Sequence, residues 1–238
     1  MPDRIILINK PYRWTSFDVV RKLRKPLLEE RKGESYLAER SEIKRLKVGH
    51  AGTLDPLATG LLVLCSGKLT RQISEIQDAE KEYNGTIVIG SITDSFDLET
   101  TPHSFKPFDS IDPEKIYSLA ATFCGPQMQI PPIYSAKKID GLRAYKKARK
   151  GEDFELKANA ITIKSFDISA IRFPEIDFRI VCSKGTYIRS IAHDFGQLLA
   201  VGAHLSALCR TRIGQYLLED SLSPEEFLRQ LTEKQNIM

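Results

Sequence analysis

A glycine-rich stretch between Lys47 and Leu62 places the strongest constraint on how this chain folds. It reads Lys-Val-Gly-His-Ala-Gly-Thr-Leu-Asp-Pro-Leu-Ala-Thr-Gly-Leu-Leu, and glycines at positions 49, 52 and 60 surround a single carboxylate, Asp55. Glycine permits a positive φ and the close approach of another backbone, so the pattern predicts a tight loop. Pro56 favours an extended conformation for Asp55, which restricts the directions in which its carboxylate can point.

Two interpretations of this loop follow from the residues alone. Asp before Pro is a common turn opening, so Gly-Thr-Leu-Asp-Pro can be a structural turn. A single acid between the apolar Leu54 and Leu57, in a loop of preset shape, is also suited to nucleophilic or acid–base chemistry.

Length and composition exclude several classes of protein. The chain has 238 residues, of which 42% are hydrophobic, and this is ordinary for a globular protein. We expect neither a membrane span nor a signal peptide, because no apolar window is long enough. The four cysteines lie far apart and do not combine with the histidines at zinc-ligand spacing, which predicts reduced thiols, no metal and a cytoplasmic location. A net charge of +4 permits a nucleic-acid partner without requiring one.

Hydrophobic periodicity and turn residues predict short strands that alternate irregularly with helices. We expect strands at 4–9, 60–65, 83–92, 161–173, 176–182 and 204–213. We expect helices at 16–30 (broken at Pro26), 69–79, 113–123 (capped by Asp112), 142–150, 187–200 and 224–231. The absence of βαβ regularity indicates an α+β fold with a largely antiparallel sheet. The highly charged segment at 31–46 is expected to be an exposed insertion.

A second informative stretch runs from Val181 to Asp194 and passes from a strand end through Lys-Gly into a helix. Tyr187 and Arg189 stand at this junction, where side chains can reach a pocket. An arginine near Asp55 would keep that carboxylate ionised, and its planar fork would fix the orientation of the carboxylate. The alternative is a helix-start arginine in solvent.

Other candidate residues each have a plain structural alternative. Tyr83 opens a strand and can stack on a base, or it can pack half-buried in the sheet. Leu208 can line a pocket or belong to the core. The basic segment at 136–150, which includes Lys137 and Lys147, can follow a phosphate backbone or form a solvated face. The acids of 93–99 lack the spacing of a calcium loop, and we interpret them as turn and strand-end residues.

Together these stretches resemble the TruB family, tRNA pseudouridine synthases that act on the T loop. The glycine-rich stretch, Lys81–Thr86, the segment 131–150, Val181–Asp194 and Gly202–Arg212 occur in the family's order. The resemblance implies the pseudouridine synthase fold, a mixed and mostly antiparallel sheet flanked by helices, with a catalytic cleft across it. It also implies isomerisation of the T-loop uridine (uridine-55) of tRNA to pseudouridine by base flipping, without cofactor or metal.

The resemblance implies roles for individual residues. Asp55 is expected to act as the nucleophile on either the sugar C1′ or the uracil C6, and Arg189 to orient it. Tyr83 is expected to stack on the base and is a candidate for moving a proton. The expected substrate-binding residues are His50, Tyr187, Leu208, Lys10, Lys137 and Lys147.

The domain organisation follows from the same resemblance. We expect a catalytic domain at 1–215, interrupted by the charged insertion, and a short C-terminal tail at 216–238 without a complete PUA domain. Arg13 stands where the family usually has glycine, so that turn is expected to differ. We expect a monomer that grips tRNA mainly through the catalytic domain.

Two alternative functions are carried forward. One is a tRNA-folding chaperone whose catalysis is incidental. The other is a glycosidase-type hydrolase that uses Asp55 together with a second acid, Asp94 or Asp97.

Overall fold

The structure is a computed structural model that describes residues 3–34, 46–135, 138–139, 142–143 and 156–237. The chain divides into two compact units, the first formed by Met1–Glu82 with Cys209–Met238 and the second by Tyr83–Leu208. In the part of the chain that is described, no helix is long and apolar enough to span a bilayer.

The first unit is built around strand β3 (Thr59–Ser66). Strand β1 (Ile5–Lys10) pairs with it antiparallel, from Ile5 opposite Cys65 to Lys10 opposite Gly60. The short β2 (Val48–His50) is also antiparallel to β3, whereas β10 (Ala203–Ile213) meets β3 in parallel through Cys209 and Arg210. Strand β11 (Tyr216–Leu217) pairs with the end of β10. The continuous apolar run of β3 is typical of a strand that is covered on both faces, and the predicted strand at 60–65 is confirmed.

Three α-helices cover this unit among the described residues: α1 (Ser16–Glu34), α2 (Ile73–Asp78) and α5 (Pro224–Ile237). A 3₁₀ segment (Gly67–Gln72) leads into α2 and forms the start of the helix predicted at 69–79. One core joins α1, α5 and the strands, and Val19, Leu23, Leu62, Phe227 and Leu231 are among its buried residues.

The expected break at Pro26 is wrong, because α1 continues through Pro26 to Glu34. A proline inside a helix removes one backbone hydrogen bond and introduces a clash. Here Leu23 and Leu27 on either side of it are buried in the core, at 0% and 3% exposure, and their packing offsets that cost.

The structure describes only the two ends of the charged insertion expected at 31–46, and the insertion stays a prediction. Residues 31–34 continue α1, and Leu46 is buried in the core of the first unit. Residues 35–45 lie outside the described part of the chain.

The second unit contains the sheet order β10-β4-β9-β8-β5. Its strands are β4 (Lys81–Ile89), β5 (Gly125–Gln129), β8 (Asn159–Arg172) and β9 (Glu175–Cys182), with β5–β8 and β8–β9 antiparallel. The helices are α3 (Pro113–Thr122) and α4 (Ile188–Leu198). Asp112 caps α3 as predicted, since its side chain accepts from the Glu114 amide at 3.0 Å.

Aromatic side chains form the core between these helices and strands. Phe166 lies 5.6 Å from Phe195 and 5.8 Å from both Phe123 and Phe178, measured between ring centroids. The predicted strand pair, the mostly antiparallel arrangement and the α+β class are confirmed.

The helix expected at 142–150 is wrong at its start. Leu142–Arg143 forms strand β7, which pairs antiparallel with β6 (Lys138–Ile139). The dipeptide Asp140-Gly141 stands between them in the sequence, and this is a strong hairpin signal that outweighs helical spacing. Residues 144–155 lie outside the described part, as do Lys137 and Lys147.

Candidate active site

Asp55 lies in the loop between β2 and β3, and its side chain is half-buried. The Ala58 amide donates to the Asp55 carbonyl at 3.1 Å, which closes a turn around Pro56. The Ala51 amide donates to the Val63 carbonyl at 2.8 Å and fixes the start of the loop on β3. The sequence predicted a turn and a reactive loop as alternatives, and this loop has the geometry of a turn that holds an acid.

The connection from β1 to α1 holds the residues on either side of Asp55. The Leu54 amide donates to Ser16 Oγ at 2.8 Å, and the same hydroxyl lies 3.2 Å from the Leu54 carbonyl, to which it donates. The Arg13 amide donates to the Pro56 carbonyl at 2.8 Å. The backbone before and after Asp55 is therefore fixed by partners from another segment.

Lys10 adds a buried positive charge to this arrangement. Its side chain is fully buried, and Nζ donates to the carbonyls of Trp14 at 2.6 Å, Pro11 at 3.0 Å and Pro56 at 3.3 Å. Burial lowers the pKa of Lys10 to about 8, although attraction to Asp55 acts in the opposite direction. These contacts support a positioning role, and the expected role of Lys10 in binding substrate stays a prediction.

Arg210, which the sequence analysis did not single out, anchors the same loop from β10. It is 1% exposed, and it donates through Nε to the Leu61 carbonyl at 2.9 Å and through Nη2 to the Gly52 carbonyl at 3.0 Å. A further contact joins Nη1 to the Thr53 carbonyl at 3.5 Å. No local pattern marks Arg210, because His204, Ser206 and Arg212 are further polar residues of the same strand.

Gly60 explains how β10 comes so close to the loop. Its φ is +100°, and a Cβ at this position would lie 2.4 Å from the Arg210 carbonyl oxygen and 2.7 Å from its nitrogen. The predicted need for glycine at the end of this loop is confirmed at this position, because no side chain fits between the two backbones.

His50 ends β2 and is half-buried. Burial lowers the pKa of His50, and repulsion from the Arg210 guanidinium acts in the same direction, while a hydrogen bond with Gly52 partly opposes them. The imidazole is therefore neutral at pH 7. A neutral ring at the edge of the Asp55 loop is suited to stacking on a base.

In the second unit, Arg189 is held rigidly at the start of α4. It is 3% exposed and donates to the carbonyls of Ser95 and Tyr134, each at 3.0 Å. Its Nε lies 3.6 Å from Asp97 Oδ2, and the Asp97 carboxylate also accepts from Ser95 Oγ at 2.7 Å and from the Glu99 amide at 2.9 Å. Asp97 is thus one half of a buried ion pair, which the sequence analysis missed. The expected action of Arg189 on Asp55 stays a prediction.

Tyr187 is fixed through its backbone. Its amide donates to Gln129 Oε1 at 2.8 Å, and Gln129 Nε2 donates back to the Tyr187 carbonyl at 3.0 Å. Tyr83 is buried at 8% exposure in β4, and Leu208 is half-buried in β10. The roles of these three residues in binding the base stay predictions.

The acids of 93–99 are engaged with neighbours in the second unit. Asp97 pairs with Arg189, and Asp94 Oδ1 lies 3.1 Å from His103 Nε2. Across the described ranges, no three His, Cys, Asp or Glu side chains are gathered as a metal site would require.

Comparison with solved structures gives the class of protein. The structure matches an H/ACA RNP bound to a substrate RNA containing 2′-deoxyuridine, with a TM-score of 0.68 over 98% of this chain at 24% identity. It also matches a Cbf5-Nop10-Gar1 complex, with a TM-score of 0.67 over 94% of this chain at 26% identity. The chain spans 55% and 53% of those two chains. The fold is that of the pseudouridine synthases, here with a fixed aspartate in the loop before β3.

Sequence comparison then gives the family. The family model described as "TruB family pseudouridylate synthase (N terminal domain)" matches residues 40–188, and the chain belongs to this family. A relative from Flavobacterium johnsoniae, named tRNA pseudouridine synthase B, is 48% identical over 222 residues, which are 93% of each chain. A relative of the same name from Phocaeicola vulgatus is 47% identical over 94% of this chain and 91% of its own length.

Proposed function

We propose that this protein isomerises the T-loop uridine (uridine-55) of tRNA to pseudouridine, with Asp55 as the nucleophile. The observation that carries the proposal is the clamp on the Asp55 loop. Ser16, Lys10 and Arg210 hold the backbone around Asp55, so a single carboxylate is presented in a fixed position. The family and the names of its relatives support this function.

The chemistry needs one nucleophile and a closed pocket. The target uridine is extruded from the loop, at a cost of a few kcal/mol. Asp55 attacks C1′ or C6, the bond from C1′ to N1 breaks, the uracil turns, and a bond from C1′ to C5 forms. Loss of the proton from C5 and uptake of one at N1 release Asp55 unchanged. The product has the composition of the substrate, so no co-substrate is consumed.

Other residues are assigned to the substrate in this proposal. Neutral His50 stacks in the space that the flipped uridine leaves, and Tyr83 stacks on the uracil. Tyr187 and Leu208 line the uridine pocket, and exclusion of water protects the intermediate from hydrolysis. Arg189 orients Asp55. The hydrogen bonds from Arg189 to two carbonyls of the second unit support this positioning role. We also propose that the protein acts as a cytoplasmic monomer.

The hydrolase alternative, which uses Asp55 with either Asp94 or Asp97 as a second acid, gains no support from the geometry of those two candidates. The Asp97 carboxylate is paired with Arg189, and Asp94 is 65% exposed beside His103. A general acid for glycoside cleavage usually lies in an apolar pocket, and neither Asp94 nor Asp97 does.

The proposal is tested by incubating the protein with an unmodified tRNA transcript. Pseudouridine is mapped by carbodiimide labelling and primer extension, and free uracil is measured in the same reaction. We expect a label at position 55 and no uracil release, and no label with Asp55→Asn or with a transcript carrying cytidine at that position. Release of uracil would instead indicate a hydrolase. Binding and refolding of tRNA without any label, by folded protein, would indicate a chaperone.

A further inference from the structure

A basic groove runs along the exposed side of helix α1 in the first unit. It has a volume of about 710 Å³, and its lining includes Arg13, Asp18, Arg21, Lys22 and Lys25. We call this the α1 groove. Positions 18, 21, 22 and 25 share one helical face. The opposite face of α1 is the one that packs into the core, through Val19, Leu23 and Leu27.

Positive charge is concentrated in the segment 12–25, which contains the first half of α1. Between Tyr12 and Lys25 the sequence has arginines and lysines at five positions and a single carboxylate, Asp18. That carboxylate already accepts from Arg21 at 2.8 Å and from the Thr15 hydroxyl at 2.6 Å. Lys25 Nζ also lies 3.8 Å from Glu29 Oε1, but the Arg21 and Lys25 side chains are 73% and 83% exposed and remain open to solvent. The groove therefore presents a positive field to an anionic partner.

Two aromatic side chains of the same segment, outside the lining of the groove, are exposed. Phe17 is 66% exposed and Tyr12 is 49% exposed, while the Arg13 guanidinium lies 5.6 Å from the Tyr12 ring centroid. Exposed aromatic rings are not expected on a helix face that contacts only water. Bases stack on such rings while neighbouring cations hold the phosphates, so this combination is typical of proteins that bind single-stranded or looped RNA.

The groove begins at the Asp55 loop. The Arg13 amide bonds to the Pro56 carbonyl, and Ser16, which precedes Phe17, holds both polar groups of the Leu54 backbone. From Ser16 to Lys25 the helix rises about 14 Å, at about 1.5 Å per residue.

We propose that the α1 groove binds the RNA strand next to the nucleotide in the Asp55 site, through phosphates on Arg21, Lys22 and Lys25 and a base on Phe17. This inference rests on the proposed function, since it places substrate RNA at the Asp55 loop. The groove contributes binding affinity and fixes the position of the RNA strand along α1. It takes no part in the chemical step.

The test compares two variants of the full chain in tRNA binding at several salt concentrations. Arg21→Gln/Lys22→Gln/Lys25→Gln removes three phosphate contacts, so the slope of log affinity against log salt should fall by about 2. The wild type should then lose about 20-fold more affinity than this variant between about 50 and 200 mM salt. Phe17→Ala removes stacking alone, so it should bind about tenfold more weakly with an unchanged slope.

The matched control is Lys68→Gln/Arg71→Gln/Lys115→Gln, which removes the same charge from exposed positions elsewhere. It should keep the wild-type slope, and all variants should keep the wild-type single-turnover rate at saturating tRNA. An unchanged slope in the groove variant, or an equal fall in the control, would overturn the inference. If the wild type binds tRNA but forms no pseudouridine, the proposed function fails, and the salt slopes still decide whether the groove binds RNA.

Discussion

Arg210 stands 158 residues after Gly52 in the sequence, and its Nη2 donates to the Gly52 carbonyl at 3.0 Å. The same side chain donates through Nε to Leu61 at 2.9 Å. The Arg210 guanidinium therefore connects strand β10 to residues before and after Asp55. The shape of this loop depends on a residue that lies outside it.

Replacement of Arg210 by methionine tests this clamp. The variant keeps an apolar stem but leaves the Gly52 and Leu61 carbonyls without their charged donor. We expect the single-turnover rate of pseudouridine formation to fall about 100-fold, as an ångström-scale shift of a catalytic group does. The affinity for tRNA should change little, because Arg210 is 1% exposed. Rapid-quench kinetics and filter binding measure the two quantities.

Arg212→Met is the matched control for Arg210→Met. Arg212 lies on the same strand, but it pairs with Glu80 at 2.7 Å and Glu82 at 3.6 Å instead of the loop. It should keep the wild-type rate, and Arg210→Lys should restore part of the lost rate. Equal rate losses at positions 210 and 212 would contradict a specific role for Arg210.

The charge of Lys10 predicts a dependence of activity on pH. Because burial lowers its pKa to about 8, the ammonium beside Asp55 loses its proton above this pH. We expect the single-turnover rate to fall with an apparent pKa near this value. Lys10→Arg should move the fall to higher pH, because a guanidinium stays protonated. A fall at the same pH in this variant would assign the titration to another group.

The stability of the folded protein should rise with pH because of Lys10, whereas the activity should fall. Its pKa is about 8 in the folded protein, against 10.5 for an unperturbed lysine, so the unfolded state binds more protons between these values. The free energy of unfolding contributed by Lys10 therefore rises with pH across this window. In urea unfolding, the wild type should gain stability relative to Lys10→Met between about pH 7.5 and pH 10. A constant difference would show that Lys10 does not titrate there.

Gly60→Ala should be strongly destabilising. The φ of +100° is unfavourable for alanine, and the new Cβ would lie 2.4 Å from the Arg210 carbonyl oxygen. Together these should cost about 3 kcal/mol or more in the free energy of unfolding. Gly125→Ala separates the two causes, since Gly125 has a φ of +113° but a Cβ there would meet no atom within 4 Å, and it should cost about 1–2 kcal/mol. Similar losses in the free energy of unfolding at both positions would show that β10 moves to accommodate the new methyl group.

Asp97→Asn should destabilise the second unit. Asp97 and Arg189 are 6% and 3% exposed, so the variant removes the counter-charge of a buried guanidinium, at a cost of about 3–5 kcal/mol. Asp167→Asn breaks an exposed pair with Arg179, where both side chains are about half exposed, and should cost less than about 1 kcal/mol. Urea unfolding compares the two, and a small cost at Asp97 would mean that the pair is dispensable.

The sequence predicted the elements whose signals are local. The continuous apolar run of β3, the Asp112 cap and the alternation of β8 and β9 each depend on neighbouring residues, and all are confirmed. The predicted break at Pro26 failed because buried leucines on either side of it outweigh the lost hydrogen bond. The helix predicted to begin at Leu142 failed because a turn signal outweighs helical spacing there.

The anchors of the candidate site could not be predicted in the same way. Asp55 and Tyr187 stand in recognisable patterns, but the side chains that fix the backbone around them do not. Ser16, Gln129 and Arg210 act on segments 38, 58 and 158 residues away, and nothing in their own surroundings marks them. Such contacts depend on strand order, which pattern reasoning does not specify.

The dependence of the Asp55 loop on strand β10 has a consequence for biosynthesis. A ribosome that has just made Asp55 must still add more than half of the polypeptide before Arg210 emerges. During that time the nascent chain contains Asp55 without the arginine that anchors its loop. The hydrogen bonds that hold the Asp55 loop to β10 can therefore form only after Arg210 has been synthesised.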